Sequence, residues 1–168
     1  MTQRSEFPHQ SKTLSYEDPA PYLADVFGLP GVEQLQAIID GRFPAPPIAS
    51  HFGIEFLTAS VGDVLLAATP DASHYNPIGS IHGGFAATLL DSACGCAVQS
   101  TLPAGVGYTT LELKVSMLRG ITRDTGRVTV HGWITKPGSR AAFAEADIRD
   151  SEGRVLATAS STCLVMAP

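Results

Sequence analysis

The stretch that most constrains what this chain can fold into is "GGFAATLLDSACGCAVQS", residues 83–100. Small and apolar residues run through it without a clean polar face, which predicts a helix covered on nearly all sides. Ala86, Ala87, Ala93, Gly95 and Ala97 leave room for other backbone to come close. Gly95 weakens a helix by about 1 kcal/mol relative to Ala, so close packing is the expected reason for its presence. The helix should start near Gly83 or Gly84 and stop by Leu102-Pro103, because proline cannot continue it.

Such a helix needs a wrapper, and the flanking sequence offers strands. "GIEFLTAS" and "GDVLLAAT" read as a hairpin turning at Val61-Gly62-Asp63. After the helix come "YTTLELKVSMLR", "GRVTVHGWITK", "RAAFAEADIRD" and "RVLATASSTCLVM", separated by the Gly-containing turns "TRDTG", "KPGS" and "DSEG". The order is two strands, helix, four strands. That pattern predicts an α+β fold, an antiparallel sheet of about six strands wrapped around one long central helix.

With 168 residues, 44% of them hydrophobic, the chain suffices for one domain with a substantial core. Seven of the twelve prolines fall in the first 47 residues, so residues 1–45 are expected as a loose arm. One short helix is expected within it, in "PGVEQLQAIIDGRFP", where Val32, Leu35, Ile38 and Ile39 recur at helical spacing. "PPIASHFG" adds one more helical turn at the start of the domain proper, residues 46–168.

The first twenty residues contain no apolar leader, and no run approaches the roughly 18 apolar residues of a membrane span. Cys94, Cys96 and Cys163 are odd in number, and the first two project about 200° apart on a helix. They are expected as buried small hydrophobes in a reducing compartment, which points to the cytoplasm and away from a membrane. The net charge of −5 argues against a nucleic-acid partner. It hides an asymmetry, because residues 1–112 carry 3 basic and 11 acidic side chains, and residues 113–168 carry 8 and 5. The run from Lys114 to Arg140 reads either as solvated strand ends or as a positive rim for an anionic ligand.

Asp91 stands in the middle of the apolar helix. Burying an unpaired carboxylate costs several kcal/mol, so this acid needs a partner or a task. At the helix start, Gly83 and Gly84 present backbone N–H groups with no intrahelical acceptor, suited to a carbonyl oxygen or an oxyanion. Asn76 and His82 precede them and offer further polar atoms, although a histidine there also suits local hydrogen bonding. The helix start and Asp91 are about 13 Å apart along the axis, while a base must lie within about 3 Å of the water it activates. If both serve one reaction, the helix start of one subunit meets the middle of another's helix. A symmetric dimer does this twice. His74 and His131 lack metal-ligand spacing, so no metal is expected.

"NPIGSIHGGFAATLLDSACGCA", with Asn76, His82, Gly83, Gly84 and Asp91 at these spacings, resembles the hotdog-fold thioesterases of the PaaI-type (phenylacetate-pathway) family. The resemblance covers roughly residues 46–166. It implies a thioester hydrolase in which Asp91 activates the attacking water or attacks the carbonyl itself. Gly83, or its neighbour Gly84, would polarise that carbonyl, and Asn76 and His82 would orient the thioester. A Ser or Thr early in the next strand helps hold the water in some relatives; Thr110 is the better match here and Thr109 the alternative. The implied substrate is an acyl-CoA, with coenzyme A as part of substrate and product and no separate cofactor. Its phosphates would meet a rim drawn from Arg119, Arg123, Lys136 and Arg140. A homodimer or homotetramer with sites at the subunit interface follows from the same resemblance.

Two other readings stand beside this one. A non-catalytic module that binds acyl-thioesters could dispense with the acid, and a regulator would carry a DNA-binding segment; the arm has only Arg4, Lys12 and Arg42 as basic residues. A hotdog acyl-CoA hydratase would show a His and acid pair at a different spacing, which this sequence lacks.

Overall fold

The computed structural model describes residues 9–166. Three short helices come first: α1 (Leu23–Phe27), α2 (Gly31–Ile39) and α3 (Pro47–Phe52). The hairpin β1 (Glu55–Ser60) and β2 (Asp63–Ala68) leads into the long helix α4 (Gly83–Gln99). Four strands complete the chain: β3 (Gly107–Met117), β4 (Val128–Lys136), β5 (Ala141–Arg149) and β6 (Val155–Met166). All six strands pair antiparallel in one sheet of order β1-β2-β4-β5-β6-β3. The sheet curls around α4, which packs on β2, β3, β4, β5 and β6. This is the hotdog architecture expected from the sequence.

Alternation along the strands builds the enclosed layer. Ala142, Ala144, Ala146 and Ile148 of β5 point inward, as do Val128 and Val130 of β4, against Phe85, Leu89, Leu90 and Val98 of α4. Small inward side chains let the helix settle deep into the sheet. At Gly132 of β4 a Cβ would overlap the carbonyl oxygen of Ala93, so helix and strand backbones touch directly. Gly95 behaves as its sequence context predicts, because a Cβ there would overlap the Tyr108 hydroxyl.

Three features differ from the sequence reading. The arm carries α1 as well as α2, and α2 shares a small core in which Leu35 meets Ala59, Val64 and Ala97. Second, α4 is not covered all round by its own chain. Gly84, Ala87, Thr88, Asp91, Ser92, Cys96 and Gln99 are only half-buried and line one face at helical spacing. Third, Cys96 is half-buried against the α2 cluster, whereas Cys94 and Cys163 are fully buried, and burial pushes the Cys94 and Cys96 thiols alike up to about 12. Among the described residues, no helix is long and apolar enough to cross a membrane.

Candidate functional site at the start and middle of the long helix

The loop before α4 is built to deliver its first turn. Asn76 Oδ1 accepts from the backbone N–H of Ile78 and of Ser80, at 3.0 and 3.2 Å, and Asn76 Nδ2 donates to Ser80 Oγ at 2.9 Å. Its side chain therefore folds "NPIGS" into a closed turn, tied to the fold where the Ile81 N–H donates to the Ile121 carbonyl at 2.9 Å. His82 is the N-cap, and its Nδ1 accepts from the Gly84 N–H at 2.8 Å. This separates two candidates that the sequence left together. The Gly84 N–H is engaged, while the Gly83 N–H has no acceptor among the described residues.

Asp91 lies two and a half turns further along, on the open face. Thr110 Oγ1 donates to Asp91 Oδ1 at 3.0 Å, which orients the carboxylate and leaves Oδ2 free to act. Thr109 points away to the exposed side of β3. A bulge between Thr110 and Glu112 sets which residues of β3 face the helix. Within one chain the Gly83 N–H and Asp91 remain about 12 Å apart along the helix axis, at 1.5 Å per residue.

The basic candidates do not form one rim in a single chain. Arg119 lies by the helix start, lining a groove of about 290 Å³ with Gly83, Met117 and Ile121, and its Nη1 donates to the Val155 carbonyl at 2.7 Å. Arg123 is nearby, its backbone N–H donating to the Tyr75 hydroxyl at 3.2 Å. Lys136, 6.0 Å over the Phe143 ring, and Arg140, beside Val165, belong to the opposite end of the sheet. Antiparallel strand order is the reason, because consecutive turns alternate between the two ends.

The sequence reading missed the residues that shape the space beside the helix start. A cavity of about 560 Å³ is lined by Phe52, His74, Tyr75, Phe85 and Thr88, with Leu14 from the arm. Phe52, His74 and Phe85 form an aromatic cluster, with centroids 6.0 Å apart for Phe52–His74 and 4.7 Å for His74–Phe85. Phe52 ends α3, His74 lies between β2 and α4, and Phe85 is in the first turn of α4, so no local sequence signal links them and only the fold joins them. Both histidines set aside as ligands have other partners. His74 Nδ1 accepts from the Asp71 N–H at 3.0 Å, and His131 Nε2 lies 2.7 Å from Asp63 Oδ2.

Comparison with known proteins fits this arrangement. A sequence model of the Thioesterase superfamily matches residues 78–157. The chain is 34% identical over 127 residues to a "Putative esterase" of Halobacterium salinarum, covering 69% of this chain and 82% of that protein. The PaaI protein from the phenylacetic acid degradation operon of E. coli superposes with a TM-score of 0.71 at 18% identity, over 81% of this chain and 96% of that one. The smu.793 protein of Streptococcus mutans, solved bound to acetyl CoA, gives 0.62 at 21% identity, over 68% of this chain and 89% of that one. These last two likenesses bear on the fold. The superfamily match and the Halobacterium salinarum relative carry the identification: this chain belongs to the thioesterase superfamily, as a thioester hydrolase with the hotdog fold.

Proposed function

We propose that the protein hydrolyses acyl-CoA thioesters as a two-fold symmetric homodimer or a tetramer of such dimers, each site drawing on two copies. The observation that carries this is the Thr110–Asp91 hydrogen bond at 3.0 Å on the open face of α4, far from the Gly83 donor of the same chain. Laying two α4 helices antiparallel along their open faces would bring the Gly83 end of each to the Asp91 of the other. Strand β3 supports the same symmetry. It is an edge strand of eleven residues, and pairing with its copy would satisfy the free edge and continue the sheet.

In this site the Gly83 N–H donates a hydrogen bond to the carbonyl oxygen and stabilises the negative charge developing there. Asp91 takes a proton from water, the hydroxide adds to the carbonyl carbon, and the C–S bond then breaks to release coenzyme A thiolate and free acid. Attack by Asp91 Oδ2 itself would give an anhydride that water opens. In a single turnover in ¹⁸O-water, an unlabelled acid with label in Asp91 marks an anhydride opened at the Asp91 carbonyl, whereas direct water attack labels the acid and leaves Asp91 unlabelled. The reaction requires no cofactor and no metal. Two-fold pairing would also carry the Lys136 and Arg140 end of one copy toward Arg119 of the other, completing a rim for phosphates. The acetyl CoA bound by the Streptococcus mutans relative supports a coenzyme A ester as substrate. The three free cysteines suit the reducing cytoplasm.

Subunit complementation tests the shared site. Gly83 is the first helical residue after the His82 cap, and His82 has ψ 138°, an extended conformation that a following proline requires. Gly83→Pro therefore removes the one N–H while keeping the helix. Gly83→Pro and Asp91→Ala homo-oligomers should each be inactive. Random mixing should restore about a quarter of wild-type activity, since half the dimers are mixed and each has one intact site. A silent, verified heterodimer or a fully active monomer overturns the shared site.

A further inference from the structure

The arm ahead of α1 does more than trail from the domain. Residues 9–18 form no regular element and make no backbone hydrogen bond to the rest of the fold. Side chains alone hold this strap. Lys12 Nζ donates to Asp71 Oδ2 at 2.9 Å and to Ser73 Oγ at 3.4 Å, and the Tyr16 ring lies 6.5 Å from that of His51. Every residue from 9 to 18 is exposed except Leu14, which is half-buried. Leu14 faces the 560 Å³ cavity, opposite Phe52, His74 and Phe85, and the far wall of that cavity is His82, Gly84 and Thr88 of the helix start.

The geometry points to residues 12–14 as the outer wall of the chamber that receives the acyl group, so that Leu14 and its Lys12 latch set which thioesters are hydrolysed. This rests on the carbonyl lying at the Gly83 N–H, as argued above. The arm falls outside the matched superfamily region, residues 78–157.

The character of the chamber follows from its hydrogen bonds. Lys12 is occupied by Asp71 and Ser73, and His74 by the Asp71 N–H on one ring nitrogen and the His51 carbonyl, 3.4 Å away, at the other. The His82 Nδ1 is held by Gly84 N–H, Thr88 Oγ1 donates to the Gly84 carbonyl, and the Tyr75 hydroxyl accepts from Arg123. What a guest meets besides these groups is the apolar faces of Leu14, Phe52, His74 and Phe85, with the His82 Nε2 edge, which has no partner among the described residues, beside them. Such a chamber takes an acyl group with an apolar chain longer than acetyl.

The test compares kcat/KM for acetyl-, octanoyl- and succinyl-CoA in the full-length protein and three variants. Wild type should prefer octanoyl to acetyl by at least tenfold. Leu14→Trp, which fills the chamber, should lower the octanoyl-to-acetyl ratio at least tenfold, and Leu14→Ala should raise it. Lys12→Met, which frees the latch, should raise the ratio as well. A general loss of fold would lower all three substrates together and leave the ratios unmoved. Ratios within twofold of wild type in all three variants overturn the wall. A second measurement is independent of turnover: octyl-CoA thioether binding by calorimetry. Leu14→Trp should bind it at least tenfold more weakly than wild type, with coenzyme A alone bound equally by both; equal affinity for the thioether overturns the proposal. A wild type that hydrolyses none of the three esters while Leu14→Trp still weakens thioether binding defeats the catalytic reading and leaves the wall standing.

Discussion

The two faces of α4 are made of different material. The covered face carries Phe85, Leu89, Leu90 and Val98, each fully enclosed by the sheet. The open face carries Gly84, Ala87, Thr88, Asp91 and Ser92, small or polar and only half-buried. One helix thus holds the domain together with one side and presents chemistry with the other. The lesson is that stability and activity should separate along this line, because each face answers to a different neighbour.

Asp91→Asn should give the largest effect. Losing the base or nucleophile is expected to lower kcat by about 10²- to 10⁴-fold. The amide keeps an oxygen for Thr110 Oγ1, so thermal unfolding should hardly change; near-normal turnover would remove Asp91 from the mechanism. Leu89→Ala, two residues earlier on the covered face, should do the reverse. Deleting a fully buried leucine typically costs about 2–5 kcal/mol of stability, measurable by urea unfolding. If the folded fraction then also lost its turnover number, the two faces would not be independent.

Gly95→Ala probes the seam between them, where the Tyr108 ring lies on the helix backbone. Alanine gains about 1 kcal/mol of helix propensity, but overpacking against a buried ring costs about 1–3 kcal/mol, so a fall in stability is expected. A rise in Tm would show that the ring moves aside freely. Thr110→Val should be milder than Asp91→Asn, lowering kcat about tenfold through loss of one hydrogen bond to the carboxylate. Thr109→Val should cost less than that; the opposite order would mean that Thr109 is the residue serving the acid.

Much of the fold was legible because its signals are local. Period-two runs, Gly-bearing turns and the apolar helix predicted all six strands and the bounds of α4, and the structure places them there. α1 escaped because five residues beside several prolines carry too little periodicity to read. The covering of α4 was overestimated for a different reason. A helix whose open face is small rather than polar looks, in sequence, like one buried by its own chain.

By itself, the sequence determined the chemical inventory and its spacing along the helix: an acid at position 91, glycines at 83 and 84, and the family to which that pattern belongs. Only the tertiary structure decided which atoms are available. His82 claims the Gly84 N–H and leaves Gly83's, and Thr110 of β3 reaches Asp91. The tertiary structure also joined Lys12 to Asp71 across 59 residues and set Leu14 in one cavity with Phe52 and Phe85. The physical reason is range. Helix and strand patterns are written in neighbours a few residues apart, whereas a hydrogen bond between distant segments depends on registers and crossings that no local stretch encodes.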